Sequence, residues 1–226
     1  MSEDGPRDGQ GLEGLAQLQR LLQSVHGVDA APVGGFLVGS EVRARLAPQA
    51  SPDEALLVLE SGGELHVALY LDERVLAQLG RGHESPWSHE RLSGFCAAAE
   101  GVSHFLYLAH RAQAGRQVSQ LELEAQAEVD KYLTVLLQLW AVGRRSSSPA
   151  LRRRLFERTT LRDGLNAAER ERYRLASALA AAFTKALEAR FVLAGRLDAL
   201  LREVRRLFRL SGGEKLSALA QGQLAI

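Results

Sequence analysis

The chain has 226 residues, 46% of them hydrophobic and 24% charged, with a single cysteine. That length can bury a proper core, the lone Cys96 excludes an intramolecular disulfide, and no apolar run reaches the ~20 residues of a membrane span. The formal net charge of +1 conceals a division: residues 1–140 hold 10 Lys+Arg against 19 Asp+Glu, and residues 141–226 hold 18 against 8. Such asymmetry points to an anionic partner for the back half, or to attraction between the halves.

The opening MSEDGPRDGQ is polar and lacks the apolar core of a signal peptide, so the expectation is a cytoplasmic protein with no membrane partner. Residues 1–11 read as a disordered tail. A first helix follows from about Leu12 to Val25, where Leu12, Leu15, Leu18, Leu21, Leu22 and Val25 make an apolar stripe. Val33–Val38, bounded by glycines, reads as a short strand. Ala55–Glu60 and Glu64–Leu71, joined through Ser61-Gly62-Gly63, read as a hairpin. Asp72 caps a short helix that ends near Gly80. After the polar loop 81–87, a helix over Ser88–Glu100 is expected to stop at Gly101. Val102–His110 (VSHFLYLAH) has the aromatic and branched content of a buried strand, with a helix as the alternative.

The back half is helical in pattern. Ser119-Gln-Leu-Glu122 is a capping box opening a helix to about Val142. Ser148, with Pro149 at the first position, caps the next helix. Asn166-Ala-Ala-Glu169 opens a helix to about Arg190, a helical pattern runs from Phe191 to Leu210, and Ser211-Gly-Gly-Glu214 is a third box.

Four constellations carry candidate chemistry. Leu210-Ser211-Gly212-Gly213-Glu214-Lys215 resembles the signature motif of ABC-type and structural-maintenance-of-chromosomes ATPases, in which serine and glycine amides contact a nucleotide phosphate. The chain contains no G-x-x-x-x-G-K-[ST] phosphate loop, so the capping box is the reading adopted. The segment His66–His110 gathers His66, His83, His89, His104 and His110 with Glu84, Glu90 and Glu100, residue types able to build a metal site. On a strand, however, His104 and His110 stand about 20 Å apart. Glu122, Glu124, Glu128 and Asp130 read as a solvated helix face. The fourth constellation is basic: Arg144, Arg145, Arg152, Arg153, Arg154 and Arg158, then Arg202, Arg205, Arg206 and Arg209 at the spacing of one helical stripe. Guanidinium groups in such clusters suit carboxylates and phosphates alike.

The expected fold is α+β: a small antiparallel sheet with helices over 12–112, then an α-helical bundle over 118–226. The leading functional expectation is a non-catalytic interaction or regulatory module without cofactor. It would bind an acidic protein partner, or a second copy of itself, through Arg144, Arg145, Arg152, Arg153, Arg154, Arg202, Arg205, Arg206 and Arg209. The alternatives are nucleic-acid binding by that surface and a metal-dependent enzyme built on His66–His110.

Overall fold

The structure, a computed structural model, describes residues 9–80, 87–157 and 164–222. The architecture is α+β, a mixed sheet with helices followed by a helical bundle. The chain folds as two compact units. The first takes in the residues up to Gln23 and Val28–Gly115, the second Ser24–Gly27 and the chain from Arg116 onward.

In the first unit, α1 (Gly9–His26) starts three residues ahead of Leu12, so Gly9–Gly11 belong to it. The rest of the expected tail lies outside the described residues. Gly11 and Gly14 let α1 approach α3 (Glu73–Leu79) closely: a Cβ on Gly14 would stand 2.7 Å from Leu79 Cβ. Val33–Phe36 forms a 3-10 turn, not a strand, and only Leu37–Val38 (β1) pairs. A helix α2 (Ser40–Leu46) leads to β2 (Glu54–Ser61) and β3 (Glu64–Leu71). These two pair antiparallel along their full length, from Glu54 opposite Leu71 to Ser61 opposite Glu64. Gly62 (φ 61°) and Gly63 (φ 82°) supply the two positive φ angles that a type I′ turn requires. β1 joins β3 in parallel, so the sheet is mixed, in the order β1-β3-β2.

The expected stop at Gly101 and strand over Val102–His110 are overturned: α4 runs unbroken from His89 to Gln113. Gly101 is a packing glycine. A Cβ there would stand 2.9 Å from Leu69 Cδ1 and 3.2 Å from Glu54 Oε2, so its absence lets α4 lie close on the sheet. The apolar run that mimics a strand is apolar because Val102, Phe105, Leu106 and Tyr107 are all buried.

The second unit is helical: α5 (Gln120–Ala141), α6 (Ser148–Phe156), α7 (Ala167–Leu187), α8 (Leu197–Arg209) and α9 (Gly212–Ala220). The boxes at Ser119 and Asn166 both form. The one at Ser211 does not, since its side chain makes no cap hydrogen bond. Ser148 is likewise not a cap; it lies inside α6, buried, and Ser147 precedes it. A π-helical turn over Glu188–Val192 follows α7.

Candidate functional site

The continuation of α4 through Gly101 changes the geometry of the histidine segment. On a helix, residues four apart stack on one face. Glu100 and His104 are such a pair, and a carboxylate oxygen of one lies within 4.8 Å of a ring nitrogen of the other. His104 is buried and Glu100 partly so. The Glu54 carboxylate, at the start of β2, reaches the same stretch of α4 beside Gly101. His66 sits exposed on β3, 3.8 Å from Glu64, and His89 is exposed at the start of α4. His110 stands half-buried near the end of α4. His83 and Glu84 lie outside the described residues. Glu90 accepts a hydrogen bond from Gln78 at 3.0 Å. One pair, therefore, replaces the five-histidine cluster.

The acidic residues of α5 do not form a solvated face. Glu122 is 3% exposed and Asp130 is fully buried. Glu122 accepts from the Ser119 amide at 3.1 Å, the Ser119 hydroxyl at 2.9 Å and the Gly212 amide at 2.7 Å. One carboxylate thereby caps both α5 and α9, which is why Ser211 is not needed as a cap. Burial by itself raises the Glu122 pKa. The amides of Gly212 and Ser119, the Ser119 hydroxyl and the Lys215 cation outweigh burial and hold it below the usual carboxylate range. Glu128 pairs with Lys131 at 2.8 Å, and Glu124 is half-buried.

Asp130 belongs to a polar network inside the second unit. It meets His26 Nε2 at 2.9 Å and accepts from Gln126 Nε2 at 2.9 Å. Lys215 Nζ donates to Gln126 Oε1 at 2.6 Å. The His26 ring stacks on Phe208, with centroids 4.0 Å apart, and Lys215 stands over the same ring. His26, Asp130 and Lys215 are all within 1% of complete burial. Burial of these groups gives them a structural role: their mutual contacts tie the His26 end of α1 to α5, α8 and α9 inside the second unit. Sequence reading missed this network. The one available signal was Lys215, one of three lysines in a chain with 25 arginines.

The arginines divide by role. On α8, Arg205 donates to the carbonyls of Val25 (3.0 Å) and Ser24 (2.9 Å), closing the C-terminal end of α1. Arg206 pairs with Glu203 at 2.7 Å. Arg202 and Arg209 are exposed, with Arg209 donating to the Arg205 carbonyl. Arg152 lies between Glu157 (3.3 Å) and Glu188 (3.7 Å). Arg154 is half-buried on α6, while Arg144, Arg145 and Arg153 are exposed. Arg145 packs beside Gly195, its guanidinium 3.6 Å from where a Cβ there would stand, which brings it to the neighbourhood of exposed Arg196. Arg158 lies outside the described residues. The stripe on α8 is thus half committed to holding the fold, while Arg144 and Arg145 face outward just ahead of α6.

Among the described residues, no helix is long and apolar enough to cross a membrane. No family model matches the chain, and neither does any curated protein or solved structure.

Proposed function

We propose that the first unit binds a divalent metal ion through Glu100 and His104, which narrows the metal-dependent reading of the His66–His110 segment to one helical pair. The supporting observation is the approach of carboxylate and imidazole to within 4.8 Å on one face of α4. An imidazole with a carboxylate suits zinc, iron or manganese, and a pair from successive turns of one helix is pre-positioned to chelate. Packing around buried His104 limits its ring orientation, which lowers the cost of ligation. Two protein ligands, fewer than the four of a closed structural site, would leave further positions open. Glu100 and His104 would hold the ion, and it would supply Lewis acidity for hydrolytic chemistry. Titration calorimetry of the whole chain with zinc and manganese tests the reading. Wild type should bind one of them saturably. Glu100→Gln and His104→Ala should each weaken binding by at least about tenfold, while His66→Ala leaves it unchanged. No saturable binding by wild type, or binding indifferent to both substitutions, refutes it.

A second reading rests on the cationic corner at the start of α6. Arg144 and Arg145 are exposed and make no ion pair among the described residues, and Arg145 packs beside Gly195. Such a corner suits an acidic protein segment. Aromatic side chains for stacking bases are sparse nearby, which places nucleic acid second. Arg144→Glu with Arg145→Glu should abolish capture of an acidic peptide probe, and wild-type affinity should fall steeply with salt. Tighter binding to duplex or single-stranded nucleic acid than to the peptide would transfer the site to that class of ligand.

A further inference from the structure

We infer that two copies of this chain pair through β2, edge to edge and antiparallel, about a two-fold axis at Val58. The two edges of the sheet differ in a way that calls for a partner on one side only. β1 is two residues long, too short to template a strand, whereas β2 is an eight-residue edge. Soluble proteins blunt such edges with lysine, proline, a bulge or a cover. β2 (EALLVLES) has neither lysine nor proline, and its register with β3 runs without a bulge. Ala55 is buried and Leu56 and Leu57 half-buried, but the next two apolar residues are uncovered: Val58 is 49% exposed on one face and Leu59 63% exposed on the other.

The hairpin turn fixes which backbone groups point outward. A two-residue turn makes Ser61 and Glu64 a hydrogen-bonded pair, so alternate residues Glu60, Val58 and Leu56 direct their N–H and C=O away from β3. Among the described residues, no backbone group of another element meets those three.

Charge and register select a second copy as the occupant. With the axis at Val58, Val58 faces Val58 of the second copy, Leu57 faces Leu59, and Leu56 faces Glu60. Glu54 then faces Gly62, and no two carboxylates are opposed. Moving the axis to Leu57 would set Glu54 against Glu60, a like-charge pair that costs stability. The Val58 register is isologous, so pairing closes at two copies and does not propagate.

Sedimentation equilibrium of the full chain over a wide concentration range tests this. A monomer–dimer equilibrium is expected. Val58→Lys, which opposes two cations at the axis, should weaken the dimer by at least about tenfold with an unchanged circular dichroism spectrum. Because a charged variant can fail by misfolding, Val58→Cys in a Cys96→Ser background supplies the second measurement. Mild oxidation should link the copies covalently, and Glu73→Cys in the same background should not. A monomer at every concentration would overturn the inference. So would a dimer that Val58→Lys leaves intact, or failure of Val58→Cys to cross-link.

Discussion

Glu122 shows how much one side chain can hold. Its carboxylate receives the Ser119 amide and hydroxyl and, ninety residues later in the chain, the Gly212 amide at 2.7 Å. Because these donors and Lys215 outweigh burial, the folded carboxyl gives up its proton below the range in which the unfolded chain does. The sign follows: its stabilisation is complete above the ordinary carboxylate range and is lost as pH falls through the folded value. Denaturant melts of wild type should therefore weaken on acidification, and Glu122→Gln should flatten that part of the profile while costing about 1–3 kcal/mol at neutral pH. A profile that Glu122→Gln leaves unchanged would assign the acid sensitivity elsewhere. The Ser119–Glu122 box is legible in sequence because its partners are three residues apart. The bond to Gly212 is not, since a tertiary partner leaves no local spacing to read. Gly101 misleads for a related reason: a glycine that ends a helix and one that admits a neighbouring sheet look alike until the sheet is in place.

At the scale of elements, helices of the second unit are legible from capping patterns and the hairpin from its glycines, because those signals are local. Three capping boxes were expected and two form, which separates pattern from use. Ser119→Ala should cost about 1 kcal/mol, as removal of an N-cap does, and Ser211→Ala should cost close to nothing because Glu122 caps α9. Equal losses at the two serines, measured by urea denaturation, would contradict this division. α4 was the least legible element. Buried at every position and rich in Val, Phe, Leu and Tyr, Val102–Tyr107 loses the polar–apolar alternation that distinguishes an amphipathic helix. The helix is also what makes Glu100 and His104, four residues apart, neighbours on one face.

For the molecule as a whole, the charge division visible in composition resolves into different uses. Many acidic and basic groups of the second unit hold the unit itself together: Glu122 and Asp130 inside it, Arg205 on the end of α1, Arg206 on Glu203. Net charge counts all of these, so it exaggerates the surface left for a partner. The metal proposal, by contrast, depends on two residues that composition could not single out. Zinc K-edge absorption spectroscopy of the loaded chain tests it most directly. The proposal predicts a first shell of nitrogen and oxygen at about 2.0–2.1 Å with imidazole scattering behind it, and loss of that imidazole signal in His104→Ala. A sulfur-containing shell, an imidazole signal that persists without His104, or a chain that loads neither zinc nor manganese would contradict it.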